Sequence, residues 1–241
     1  ILYIYPPEMY VSEVEGVHYT REFLLEADPI ALDIPSFIER FEQDNHITFG
    51  DAQKEAIQLS FFEKFSLITG GPGTGKTTII KALVKGFQLG GLGRIILCAP
   101  TGRAAKRLTE ATEFEATTIH RLLVPVQGSD SYDFTKNEDD PLDIDVIIID
   151  EASMLNVRLF YSLIAAIPKE AHVIIVGDVD QLPPIGAGFV LKDLLDSDCV
   201  PYTRLNQIYR QSSGNTIVES AYAINRGEMP NLDGVSEEFS F

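Results

Sequence analysis

From residue 51 onward, short apolar runs alternate with stretches whose apolar residues recur at helical spacing. FSLIT (65–69) is a largely apolar run that ends in a glycine-rich loop, and KTTIIKALVKGFQLG (76–90) follows with the period of a helix. RIILCAP (94–100) predicts a strand and TGRAAKRLTEAT (101–112) a helix. VIIID (146–150), NVRLFYSLIAAIP (156–168) and HVIIVGD (172–178) repeat the alternation. Strands written as near-continuous apolar runs are buried on both faces, so the pattern predicts an α/β fold built on a mainly parallel sheet with helices on both faces. Residues 1–45 are acidic and aromatic with weaker helical periodicity. One helix is expected after Pro7 and a second near Pro35, as PSFIERFEQ, because proline suits a first helical turn. A third is expected from about Asp51, with Ala52, Ala56, Ile57 and Leu59 near helical spacing. QGSDSYDFTKNEDDP (127–141) interrupts the alternation as a long loop or a small hairpin. The sequence has neither an internal repeat nor a low-complexity tract.

Composition narrows the class. With 241 residues, 45% of them apolar and 23% charged, the chain is an ordinary globular one, long enough for one large domain or two small ones. No apolar run approaches the ~18 residues of a membrane span, and ILYIYPPEMY, broken by Pro6 and Pro7, does not read as a signal peptide. No membrane partner is expected. Two cysteines make no disulfide framework, which fits a reducing, cytoplasmic location. The net charge of −17, taken alone, argues against broad electrostatic contact with nucleic acid. The charge is uneven, however. Residues 51–125 hold 10 basic and 6 acidic residues, whereas residues 1–50 hold 2 and 10, and residues 126–241 hold 7 and 20. The basic stretch coincides with the strongest motifs.

Gly70-Gly71-Pro72-Gly73-Thr74-Gly75-Lys76-Thr77 fits GxxxxGK[ST] between a strand and a helix, the context a phosphate-binding loop requires. Glycines let backbone N–H groups turn inward around a phosphate, and the helix N-terminus adds partial positive charge. Lys76 would reach the β- and γ-phosphates, and the Thr77 hydroxyl would hold Mg²⁺, with Thr78 beside it. Val146-Ile147-Ile148-Ile149-Asp150-Glu151 is a buried strand ending in paired carboxylates. Asp150 suits Mg²⁺, and Glu151 suits orienting and deprotonating a water. Gly177-Asp178-Val179-Asp180-Gln181-Leu182-Pro183-Pro184 follows another strand, where open parallel sheets bind ligands. Gln181 can sense a γ-phosphate there; the competing reading is a rigid turn.

Thr101, Gly102, Arg103, Lys106 and Arg107 open a helix, with the basic residues close to one face. They form either a phosphate-contacting start or a solvated basic face. Thr117-Thr118-Ile119-His120-Arg121 adds hydroxyls and donors, although a lone histidine is more often structural, and no His/Cys spacing suggests zinc. Tyr209 and Arg210 in Gln207-Ile208-Tyr209-Arg210-Gln211 offer a base-stacking ring and an arginine finger, or simply begin an amphipathic helix.

The order and spacing of these motifs resemble superfamily 1 DNA helicases of the RecD type. GDAQKEAI (50–57) resembles the Q motif, GGPGTGKTT motif I, and APTGRAAKRL (99–108) motif Ia. TTIHRLL (117–123) resembles the DNA-contacting motif after it, DEASM (150–154) motif II, VGDVDQLPPIGAG (176–188) motif III and LNQIYRQ (205–211) motif IV. AYAINRGEMP (221–230) resembles the helix that follows in that family. The resemblance implies a RecA-like P-loop NTPase domain that couples hydrolysis of ATP with Mg²⁺ to 5′-to-3′ movement on single-stranded DNA. It also implies unwinding at a duplex fork and a place in repair or recombination, with other repair proteins as possible partners. Gln53 would read adenine, Tyr209 would stack on it, and Arg210 would contact the γ-phosphate. Gln181 would couple ATP to DNA, and Thr101, Gly102, Arg103, Lys106, Thr118 and His120 would line the single-strand path.

The same resemblance divides the chain. Residues 1–45 end an N-terminal region and 46–204 form the first motor domain, with 124–144 as a pin-like hairpin insert that splits the duplex. Residues 205–241 begin a second RecA-like domain. A chain that starts at Ile1 and stops near that boundary is expected to be a piece of a longer protein, unable to unwind DNA alone. Two alternatives stand beside this reading. One is a P-loop ATPase of another class, AAA-like or a transporter, although no LSGGQ-like signature is present. The other is a nucleotide-binding scaffold without helicase activity, against which Lys76, Thr77, Asp150 and Glu151 argue.

Overall fold

The computed structural model describes residues 5–24, 30–128, 132–207, 220 and 223–229. Three helices come first: α1 (Pro7–Phe23), α2 (Ile34–Asn45) and α3 (Asp51–Phe62). Strands and helices then alternate as β1 (Phe65–Gly70), α4 (Lys76–Leu89), β2 (Ile95–Ala99), α5 (Gly102–Thr112), β3 (Ala116–Thr118) and α6 (Ile119–Leu123). The order continues with β4 (Val146–Ile149), α7 (Val157–Ala165), β5 (His172–Gly177), α8 (Val190–Asp196) and β6 (Tyr202–Leu205).

The six strands form one sheet in the order β3-β2-β4-β5-β1-β6, and every pairing is parallel. Successive residues of a strand point to opposite faces, so the apolar runs supply two cores at once. Ile147, Ile149, Val173 and Ile175 pack on one side with residues of α1, α6, α7 and α8. Val146, Ile148, Ile174 and Val176 pack on the other with α2, α3, α4 and Leu108 of α5. Each fully buried side chain of this kind contributes roughly 1.5–3 kcal/mol. The first two helices join the same layers: α1 lies along α7, and Phe37 of α2 meets Phe61 of α3 edge-on with ring centroids 5.9 Å apart. The parallel α/β architecture expected from the alternation is therefore what the chain adopts, and solved relatives described below share it.

The interruption resolves into a hairpin stem rather than an open loop. Val126 N–H donates to the Asp133 oxygen at 2.9 Å, Thr135 N–H to Val124 at 2.8 Å and Lys136 N–H to Leu123 at 3.0 Å. Phe134, Leu142 and Ile144 are buried in the core, so the insert is rooted in the domain at both ends. Four elements were not expected from the pattern: β3, α6, α8 and β6. β3 has only three residues, and β6 alternates exposed and buried positions as an edge strand does, so neither writes an apolar run. β6 pairs with β1 from Leu67↔Tyr202 to Gly70↔Leu205, which carries the sheet across position 204. Among the described residues, no helix is long and apolar enough to cross a membrane.

Candidate functional site

Strand order builds the site. β5 lies between β1 and β4, with Ile149 beside Ile175 and Thr69 beside Gly177. The loops leaving the C-terminal ends of these three neighbours carry Lys76, the Asp150–Glu151 pair and Gln181. Residues far apart in sequence thus share one edge of the sheet, where ligands bind in open parallel sheets.

The loop after β1 turns through Gly73 (φ 81°) and Gly75 (φ 85°), a left-handed region that glycine enters without a Cβ clash. Thr74 is fully buried, and its hydroxyl donates to the Gly71 oxygen at 2.8 Å. Lys76 Nζ donates to the carbonyl oxygens of Gly70 and, at 3.0 Å, of Gly71, so the ammonium rests folded over its own loop. Burial pulls the Lys76 pKa down, opposed by the carboxylates of Asp178, Asp150 and Glu151. Pro72 is exposed, and Thr77 and Thr78 are half-buried in the first turn of α4, whose leading N–H groups face the loop. This is a cradle of the right shape and polarity for a polyphosphate. Gln53, at the third position of α3, fastens it from behind. Its Oε1 accepts from Gly50 N–H at 3.0 Å, and its Nε2 donates to the Thr74 oxygen at 2.9 Å. In this arrangement the Gln53 amide holds the phosphate loop with the groups expected to read a base.

Asp150 follows β4, its N–H donating to the Cys98 oxygen of β2 at 2.9 Å. Burial pushes its carboxyl pKa up to about 6. The Glu151 charge adds to the rise, while the Glu151 N–H and Lys76 oppose it. A carboxylate so poorly solvated gains strongly from a cation, and a hard one such as Mg²⁺ prefers oxygen ligands of the kind that Asp150 and the Thr77 hydroxyl offer. Glu151 sits at φ 55°, ψ 40°, and opens a single 3₁₀ turn, Ala152–Met154. A non-glycine residue held there is strained, as residues aimed at a reacting centre often are.

The loop after β5 begins at the buried Asp178, whose Oδ1 accepts from Asp180 N–H at 3.1 Å. Val179 N–H donates to Thr69 Oγ1 of β1 at 3.4 Å. Gln181 is exposed, and its Oε1 accepts from the Ser153 hydroxyl at 3.3 Å, which joins this loop to the one carrying Glu151. Leu182 and Ile185 stand out at 85% and 94% exposure.

The candidate nucleic-acid residues lie in the turn after β2, at the end of β3 and in α5 and α6, at the same end of the sheet as the phosphate cradle but separated from it by β4 and β5. Thr101 caps α5 by accepting from Ala104 N–H at 3.2 Å, and Thr118 caps α6 by accepting from Arg121 N–H at 3.2 Å. Each hydroxyl keeps its own proton to donate. Gly102, Arg103, Lys106 and Arg107 are exposed, and α5 buries Ala105 and Leu108 instead. Lys106 pairs only loosely with Glu110, at 3.8 Å. His120 is half-buried, its ring 5.7 Å from that of Phe134 in the hairpin. Tyr209 and Arg210 lie outside the described residues. Sequence reasoning passed over Asp178, Ser153 and Asn156 as functional groups. Asp178 and Ser153 stood inside quoted motifs, and Asn156 stood where an N-cap is expected before an apolar helical run; what no local pattern marked was the partner each meets.

A family model described as an AAA domain matches residues 53–187. Over 164 residues the chain is 44% identical to an ATP-dependent RecD2 DNA helicase of Deinococcus radiodurans, covering 68% of this chain and 22% of that protein. Over 202 residues it is 36% identical to the RecBCD enzyme subunit RecD of Mycobacterium tuberculosis, covering 74% of this chain and 35% of that one. The chain thus spans about a fifth to a third of the length of these curated relatives. Among solved structures, the Pif1 helicase of Candida albicans superposes with a TM-score of 0.55 at 19% identity, over 77% of this chain and 46% of that one. A Pif1 helicase in a study of unwinding at forked double-stranded DNA gives 0.51 at 22% identity, over 80% and 50%. At those identities the likeness is one of fold.

Proposed function

The chain belongs to the AAA domain family and is a homologue of the RecD-type helicases, and on that premise we propose that it is the first motor domain of an ATP-dependent DNA helicase. The observation that carries the reading is the meeting of three loops at the ends of β1, β4 and β5, with α5 and α6 opening at the same end of the sheet after β2 and β3. That arrangement supports a phosphate cradle and a nucleic-acid track along one edge of the sheet.

ATP lays its phosphates along Gly71–Thr78. Lys76 exchanges its two carbonyl contacts for β- and γ-phosphate oxygens. Thr77 and Asp150 would hold Mg²⁺, which when bound would supply positive charge against the phosphates. Glu151, set forward by its left-handed backbone, orients the attacking water and takes its proton. Gln181 senses the γ-phosphate and, through Ser153, reports to the loop that carries Glu151. Arg210 completes the charge around the γ-phosphate, and Tyr209 stacks on the adenine. Single-stranded DNA runs past Thr101, Gly102, Arg103, Lys106, Thr118 and His120. Such motors use a few phosphate contacts and base stacking in a groove, so the net charge of −17 does not oppose the assignment. The insert of 124–144, whose stem pairs 123–126 with 133–136, is the strand-separating element, and the motor moves 5′ to 3′ in the cytoplasm.

A strand-displacement assay on the intact protein tests the proposal. Duplexes with a 5′ single-stranded tail are expected to unwind with ATP and Mg²⁺, and those with only a 3′ tail are not. Unwinding from the 3′ tail alone, or ATP hydrolysis that single-stranded DNA does not stimulate, would overturn it.

A further inference from the structure

We propose that Asn156 is a positioning residue that ties the γ-phosphate-sensing loop to the strand-separating hairpin, so that the nucleotide state sets the hairpin's position. The inference rests on the helicase reading for its function, but the link itself is a matter of geometry. Asn156 is buried at the N-cap of α7, six residues after Asp150. Its Oδ1 accepts from Leu159 N–H at 3.0 Å and caps the helix. Its Nδ2 donates to the Tyr132 hydroxyl in the hairpin at 2.8 Å and to the Ile185 carbonyl in the Gln181 loop at 3.1 Å. One carboxamide, with its donors and acceptor all used, therefore touches three elements that are not neighbours in sequence.

The surroundings make the link stiff. Val157 N–H donates to the Ala187 oxygen at 2.9 Å, so the loop is held to the start of α7 at two successive residues. Gly186 and Gly188, both at positive φ, let the loop come this close; a Cβ on Gly186 would lie 3.0 Å from Asn156 Nδ2, and one on Gly188 2.8 Å from Val157 Cβ. On the hairpin side the Arg158 guanidinium lies 4.4 Å from the centre of the Tyr132 ring, and the ring of Phe134 packs on His120. Ser153 holds Gln181 at the front of the loop, and Asn156 holds Ile185 at its back. A movement of Gln181 toward a γ-phosphate is passed through the backbone of 181–185 to the same amide that grips Tyr132. Close packing favours discrete shifts over gradual deformation, which suits such a relay.

Two substitutions in the intact protein separate the two grips. Tyr132→Phe removes only the hairpin's acceptor. It is expected to lower the base pairs unwound per ATP by about three- to tenfold, the worth of one net hydrogen bond, while single-stranded-DNA-stimulated kcat stays at its wild-type value. Asn156→Ser keeps the cap, since serine serves an N-cap as well as asparagine, but carries no amide and loses both donations; aspartate would not serve, because its carboxylate would accept from the Tyr132 hydroxyl. Adding Tyr132→Phe to Asn156→Ser should lower unwinding no further. Hydrogen exchange at the stem amides of Val126, Thr135 and Lys136 reads the link without DNA. A non-hydrolysable ATP analogue with Mg²⁺ should change their exchange in the wild type and leave it unchanged in Asn156→Ser. Stem exchange that ignores the nucleotide in the wild type, or responds equally in Asn156→Ser, overturns the link. Full unwinding efficiency in Tyr132→Phe, or two losses that multiply, does the same. A wild type whose stem responds to nucleotide but which unwinds nothing upholds the link and overturns the helicase reading.

Discussion

Gln53 Nε2 donates to the Thr74 carbonyl oxygen at 2.9 Å, and a Cβ on the adjacent Gly75 would lie 2.3 Å from the same nitrogen. The amide thus fills the space against which the phosphate loop closes. Gln53→Ala should raise the ATP KM several-fold and lower stability by about 1–3 kcal/mol, because Gly50 N–H and the Thr74 oxygen lose a buried partner. Gly75→Ala should be worse for nucleotide binding, since it adds left-handed strain to the collision. Isothermal titration with ATP and urea unfolding of both variants check this; wild-type affinity in both would show that the contact is passive.

The two residues assigned to the γ-phosphate, Lys76 and Glu151, should fail differently. Lys76→Ala in the intact enzyme should abolish hydrolysis by removing the charge partner of the phosphates. Glu151→Gln should bind ATP and Mg²⁺ normally, because Asp150 and Thr77 are untouched, and turn over about a hundredfold or more slowly, the usual contribution of a general base. Near-normal turnover in Glu151→Gln would falsify its assignment as the base.

Asp150 is held at the expense of stability. Its pKa is raised from 3.8 to about 6, so the folded state binds its proton more tightly than the unfolded chain does. Stability from this group is highest below pH 4 and is lost as pH rises through about 6. In the nucleotide-free protein with a chelator present, Asp150→Asn should therefore raise stability at pH 7.5 by about 1–3 kcal/mol, and the gain should shrink at pH 4.5. Denaturant midpoints at the two pH values measure it; a destabilised Asn variant at pH 7.5 would contradict the burial argument. Mg²⁺-dependent hydrolysis should be lost in the same variant.

Arg103 tests the nucleic-acid face. It is exposed on the first turn of α5, beside the free hydroxyl proton of Thr101. If it meets a phosphate, Arg103→Ala should weaken single-strand binding and reduce the slope of log K against log salt by about 0.7, one contact on a single strand. An unchanged slope in a fluorescence titration would assign α5's basic side to solvent.

Much of this site is written locally in the sequence. The turn through Gly73 and Gly75 needs glycine, Lys76 and Thr77 must open a helix, and Asp150 must end an apolar strand; each condition is met within a few neighbouring residues, so spacing alone exposes it. The same holds for the two-faced apolar runs that become β1, β4 and β5. β6 and β3 escaped because edge strands need only one buried face or a few residues. What only the tertiary structure decided are the contacts between distant segments. Gln53 reaches Thr74 across 21 positions, and Asn156 reaches Tyr132 and Ile185 across 24 and 29. The first follows from α3 packing against β1, α4 and β6, and the others from β5 being placed beside β4 and from the hairpin folding back on the start of α7. A local pattern records which face a residue turns inward. Which neighbour it meets there depends on the order in which the sheet stacks its strands, and that order is set by packing of the whole chain.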